Sequence, residues 1–119
     1  MSSTQWLAAK EEAREFLVEI ARSEEGIPVS YTELCKHIKA LPFTAQSELL
    51  GDLLTEISAD EDEKGRGLLS VLVVHKEDEM PGQRFFNEAK KRGRDISDKT
   101  KCWAEELPKV LAYWRSHPR

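Results

Sequence analysis

The sequence predicts an α+β domain of the winged-helix type: a helix-turn-helix, a short β-hairpin wing and additional C-terminal helices. Three observations predict it. Three segments of helical periodicity come first in the chain. A valine-rich apolar run, Leu68 to His75, follows them between Gly67 and a charged loop, and its length and β-branching favour a strand buried on both faces. A Pro-Gly turn and the paired aromatics Phe85 and Phe86 then stand where a hairpin would return.

The first helix is expected from Thr4 to about Ser23. Trp6, Leu7, Ala13, Phe16, Leu17 and Ile20 recur near a period of 3.6, with Glu11, Glu12, Glu15 and Glu19 mostly opposite. Gly26 suits a left-handed position after its end. Ile27-Pro28-Val29 is short and extended, because a proline disfavours helix in the residue before it. Ser30 is a good N-cap with Glu33 three residues on. It opens a second helix from Tyr31 to about Lys39, with Leu34, Cys35 and Ile38 inward.

Leu41-Pro42-Phe43 makes the turn, and Thr44 is placed to cap a third helix reaching about Ser58. Its apolar face is Leu49, Leu50, Leu53, Leu54 and Ile57. Asp60 to Gly67 reads as an acidic loop, and Lys76 to Gly82 as the tip of the wing. Gln83 to Phe86 is either a returning strand or the start of the next helix. Asn87 to Arg92 is helical and stops at Gly93. A last helix, capped by Ser97 or Asp98, ends near Ser116 and carries the stripe Trp103, Leu107, Val110, Leu111, Trp114. Pro108 kinks it or marks its true first turn. Residues 1–119 form a single domain on this reading, with the helical extension starting at about residue 87.

Composition narrows the function classes. Charged residues make up 34% and hydrophobic residues 39% of the chain, which is the composition of a folded soluble domain. No apolar run is long enough for a membrane span. The N-terminal stretch has acids where a secretory leader has its apolar region. Cys35 and Cys102 read as a reduced, cytoplasmic pair, and Cys35-Lys36-His37 lacks the second ligand pair of a zinc site. Charge is uneven: residues 1–80 carry 8 Lys/Arg and 17 Asp/Glu, a net of −9, and residues 81–119 carry 10 and 5, a net of +5. Such a molecule steers charged partners.

Ile27-Pro28-Val29-Ser30-Tyr31-Thr32-Glu33-Leu34, the pair Leu50-Gly51 and Val73-Val74-His75-Lys76 together carry a resemblance. Residues 16–82 resemble the DNA-binding domain of alkylguanine-DNA alkyltransferases and their alkyltransferase-like relatives. The resemblance implies a helix-turn-helix and, in function, a reader of DNA lesions. Two departures bear on that activity. Val74 stands at the nucleophile's position and cannot accept an alkyl group, and Glu48 stands near the arginine that fills the space of a flipped base. A further pattern, Arg66, Leu68-Leu69-Ser70, Val73-Val74, Met80-Pro81-Gly82 and Phe85-Phe86, is similar to that of small bacterial proteins and implies no function by itself.

A winged helix invites a DNA reading, yet the third helix has no Lys or Arg from Ala40 through Glu63. An acid near a phosphate costs about 1 kcal/mol even in water. The candidate nucleic-acid surface is therefore the basic segment Lys90, Lys91, Arg92, Arg94, Lys99 and Lys101. The candidate partner-binding surface is acidic: Glu48, Asp52 and Glu56 on the third helix, and Glu77, Asp78 and Glu79 at the tip. His75 has no nucleophile beside it, and Gly65-Arg66-Gly67 lacks the context of a phosphate loop. No catalytic, metal or cofactor residues are assigned. The sequence thus points to a non-catalytic binding module in a bacterial regulatory or accessory role, through contact with a partner protein or a second copy. A DNA-binding regulator and a degenerate lesion reader are the alternatives.

Overall fold

Helices carry most of the architecture. The computed structural model describes residues 2–118. Among them the chain forms α1 (Ser3–Arg22), β1 (Val29–Ser30), α2 (Tyr31–Lys36), α3 (Glu48–Glu63), a 3-10 turn (Leu69–Leu72), β2 (Val73–Val74), α4 (Gln83–Lys91) and α5 (Lys99–Arg115). Ser2 caps α1 in a capping box with Gln5. Ser30 Oγ accepts the Glu33 N–H at 3.1 Å and starts α2. Asp98 caps α5 through the Lys101 N–H at 3.0 Å. Pro108 sits inside α5 without ending it. Ala104, whose carbonyl loses its partner to the proline, is exposed and open to water.

The expected winged helix is overturned. The two strands have two residues each and run parallel, with Val29 opposite Val73 and Ser30 opposite Val74. No hairpin returns, because Gln83 to Phe86 open α4. The loop before it closes on itself: His75 N donates to the Met80 carbonyl at 2.9 Å and Glu79 N to the His75 carbonyl at 2.8 Å. The fold is a small α-rich one.

The apolar run departs from a strand for a physical reason. Strands satisfy their N–H and C=O groups in a ladder. Here other groups take them. Leu68 N donates to Glu106 Oε2 at 2.8 Å, Ser70 N to Ser58 Oγ at 3.0 Å, and Val71 O accepts from Trp103 Nε1 at 3.2 Å. With those partners in place Leu69–Leu72 turns as a 3-10 helix, and only Val73–Val74 pairs with a neighbouring strand. Leu68, Leu69, Val71, Leu72 and Val73 are all buried, with α1, α3 and α5 packed around them.

Helix lengths differ from expectation for similar reasons. α2 stops at Lys36, and Glu12 Oε1 accepts the N–H groups of Lys39 (3.1 Å) and Ala40 (2.9 Å). α3 begins after Ser47, not Thr44, and continues through the predicted acidic loop to Glu63. Glu61 is buried because Arg14 (3.1 Å) and Arg66 (2.6 Å) hold its carboxylate. Trp114, also buried, faces three guanidiniums, Arg14, Arg22 and Arg66, at 5.1–5.6 Å. No helix among the described residues is long and apolar enough to cross a membrane.

Candidate functional site

Two depressions flank the N-terminal half of α3. The deeper is a cleft of about 440 Å³ bounded by the first turns of α2, α3 and α4 and by the 75–82 loop. Its floor is apolar, from Leu50, Leu54 and Phe85, and Ser70 reaches it from the central run. Tyr31 and His75 form one wall, their rings 4.6 Å apart and tilted by 30°. Tyr31 Oη accepts the Gly82 N–H at 3.0 Å. Burial pushes the Tyr31 phenol above its ordinary pKa, so it remains a neutral donor. Gly82 allows this approach, since a Cβ there would stand 3.1 Å from His75 Nε2 and 3.2 Å from Tyr31 Oη.

The shallower depression is a groove between α1 and α3. Trp6, Leu7 and Leu49 form its apolar part, with Asp52, Thr55, Glu56 and Arg84 around them. Leu7 is 61% exposed and Leu49 45%. Both were expected on inward faces, and both instead look outward. Trp6 Nε1 donates to both oxygens of Glu56, at 3.1 and 3.3 Å, and its ring meets Phe43 edge-on at 6.3 Å. Arg84 separates the two depressions. It reaches over α3, donating to the Glu48 carbonyl at 2.9 Å and pairing with Asp52. Gly51 makes that path open, because a Cβ there would stand 2.7 Å from Arg84 Nη1.

The acidic candidates divide between these features. Asp52 and Glu56 border the groove, while Glu48 and Glu77 line the cleft. Glu56 also reaches Lys10 at 3.5 Å. Asp78 is turned back on its own loop, its Oδ1 accepting the Met80 N–H at 3.0 Å. Glu79 holds a φ of 55° at the loop's bend, the left-handed region that non-glycine residues seldom occupy.

The basic candidates are not one surface. Arg94 is drawn inward, where it binds Asp62 (2.6 and 2.9 Å) and Glu106 (both 3.0 Å). Hydrogen bonding to Arg94 holds the Asp62 carboxyl below the usual carboxylate range. Arg92 pairs with Glu88 at 2.6 Å, and with Asp62 and Glu63 at 3.6 Å. Lys99 lies 5.4 Å from the Phe86 ring centre and donates to Gln83. Lys90, Lys91 and Lys101 are exposed.

Of the positions that carry the alkyltransferase resemblance, Ser30, Tyr31, Gly51, His75 and Lys76 line the cleft. Val74 is buried in β2 instead. Among the described residues, no group of three or more His, Cys, Asp or Glu side chains is arranged to hold a metal ion. Arg84 and Ser70 were missed as site residues. Gly51, a glycine inside a helical pattern, was the available signal for a close approach; Ser70 gave none. Compared with protein-family models, curated proteins and solved structures, the chain matches none.

Proposed function

We propose that the chain is a non-catalytic binding module that docks a partner protein on the α1/α3 face, in a regulatory or accessory role. One observation carries the reading: Leu7 and Leu49 stand exposed beside Trp6, with Asp52 and Glu56 around them. An apolar centre within a polar rim is the anatomy of a protein contact. Covering the exposed parts of the two leucines contributes about 1 kcal/mol each. The acids select a partner with an apolar side chain flanked by Lys or Arg.

Two facts weigh against a phosphate backbone as the partner. The first turns of α3 present Glu48, Asp52 and Glu56. Arg92 and Arg94 are spent on internal carboxylates. Affinity for DNA depends on cations free to displace counterions, and without the two arginines that segment is left with the exposed Lys90, Lys91, Lys99 and Lys101.

The test is comparative retrieval. The full chain, a Leu7→Asp/Leu49→Asp variant and a Lys90→Glu/Lys91→Glu variant are each used to capture partners from cells that express the protein. Loss of a defined partner with the leucine variant, and its retention with the lysine variant, is expected. Duplex DNA binding at low salt that the lysine variant abolishes would overturn the proposal in favour of a DNA-binding regulator.

A further inference from the structure

The cleft between α2, α3 and α4 lies outside the docking face, and two of its hydroxyls have protons to give. Ser58 Oγ donates to Ser70 Oγ at 2.6 Å and accepts the Ser70 N–H at 3.0 Å. Ser58 is thereby satisfied. Ser70 Oγ is the acceptor of that bond, which leaves its own proton undirected, although Ser70 is only 7% exposed. Tyr31 Oη repeats the pattern, accepting from Gly82 and keeping its proton. Buried polar groups find partners in the great majority of cases; Ser70 is buried and Tyr31 half-buried on the cleft wall, so the two donors mark where an acceptor belongs.

The rest of the cleft says what carries that acceptor. Leu50, Leu54 and Phe85 give it an apolar floor. Charges along the cleft are of both signs, Lys76 and Arg84 with Glu48 and Glu77, and Arg84 is held by Asp52 and by the Glu48 carbonyl. The buried Glu88 is neutralised by Arg92 at 2.6 Å. A lining of mixed sign over an apolar floor gives a ligand of either charge a repelling as well as an attracting neighbour, so an uncharged ligand is favoured. The volume of about 440 Å³ lies in the range of small-molecule sites.

We propose that this cleft binds a small uncharged organic molecule with an apolar body and a carbonyl-type acceptor, the acceptor being met by the hydroxyls of Ser70 and Tyr31. The inference stands apart from the partner-protein reading. The test uses three probes of one shape and different charge, namely benzamide, benzoate and benzylammonium. Amide shifts in a ¹H–¹⁵N spectrum of the full chain locate each probe. Benzamide is expected to shift residues around Leu50, Leu54 and Gly82 and to bind more tightly than either ion. Ser70→Ala and Tyr31→Phe, checked for unchanged melting, are each expected to weaken it roughly three- to tenfold, as loss of one hydrogen bond does. The Leu7→Asp/Leu49→Asp variant is expected to bind benzamide as the parent does. Shifts absent from the cleft, equal or tighter binding of a charged probe, or undiminished binding by both well-folded variants would overturn the inference. Should a variant unfold, the ranking of the three probes on the parent chain decides alone.

Discussion

Replacing Arg94 with alanine tests whether this residue belongs to the fold or to a binding surface. Its guanidinium makes two bonds to Asp62 and two to Glu106, all at 2.6–3.0 Å. The side chains are 18%, 14% and 4% exposed in the order Arg94, Asp62, Glu106, so solvent screening is slight. Glu106 also accepts the Leu68 N–H at the start of the central run. Removing one partner of a buried ion pair costs about 3–5 kcal/mol, because the other charge stays buried without compensation. Arg92 stands 3.6 Å from Asp62 and relieves part of that, which puts the expected loss near the lower end, about 3 kcal/mol. In urea denaturation the midpoint should fall by roughly 2 M.

The control is Lys91→Ala, which removes the same charge from an exposed site and is expected to stay within about 0.5 kcal/mol of the parent. Adding Glu106→Gln to Arg94→Ala should return part of the loss, since the amide oxygen still accepts from Leu68 and the remaining charge, Asp62, keeps Arg92 beside it. Equal urea midpoints for Arg94→Ala and Lys91→Ala would refute the reasoning and return Arg94 to the surface.

Four other outcomes are expected. Asp62 has a folded pKa below its ordinary 3.8, with Arg94 as the main cause; the unfolded chain therefore binds more protons in acid, and the contribution is present above about pH 4 and lost as pH falls through the folded value. Asp62→Asn should flatten the stability profile below pH 4, measured by urea midpoints across that range. Gly67→Ala should cost about 2–4 kcal/mol, because φ is +87° and the new Cβ would stand 2.9 Å from the buried Val110 side chain. Gly51→Ala should leave the melting temperature nearly unchanged, as the helix gains about 1 kcal/mol while the half-exposed Arg84 swings aside. Leu7→Asp/Leu49→Asp should melt within a few degrees of the parent, since both side chains already face water.

What was legible in the sequence was what depends on near neighbours. The helical period of α1, the cap of Ser30 on Glu33 and the start of α5 at Asp98, one of its two candidate caps, are all local patterns, and all three are found. What failed depends on partners far along the chain. Glu61 looks like solvent-facing loop until Arg14, 47 residues away, and Arg66 are placed against it. The run Leu68 to Val74 has the composition of a strand, and only Glu106, Ser58 and Trp103 make a 3-10 turn satisfiable there. Leu7 and Leu49 show the limit of periodicity for the site itself. Each falls on an apolar stripe, yet the face that α1 buries runs through Ala9, Ala13 and Leu17 and that of α3 through Leu50, Leu53 and Ile57, which leaves both outside.

The charge asymmetry of the chain changes meaning once folded. The basic arginines of the C-terminal half and the acids at the end of α3 meet in one partly buried cluster, Arg92 and Arg94 with Asp62, Glu63, Glu88 and Glu106. The lysines of the same segment stay outside. This follows from side-chain chemistry: a planar guanidinium binds two carboxylates at once and tolerates burial, whereas an ammonium is strongly hydrated. Counting Lys and Arg together therefore overstates the positive surface. The acids at the start of α3 take single partners at the surface instead, Asp52 with Arg84 and Glu56 with Lys10 and Trp6, and they stay beside two exposed leucines. A partner steered by that residual field must also cover an apolar patch, and a nucleic-acid backbone does not.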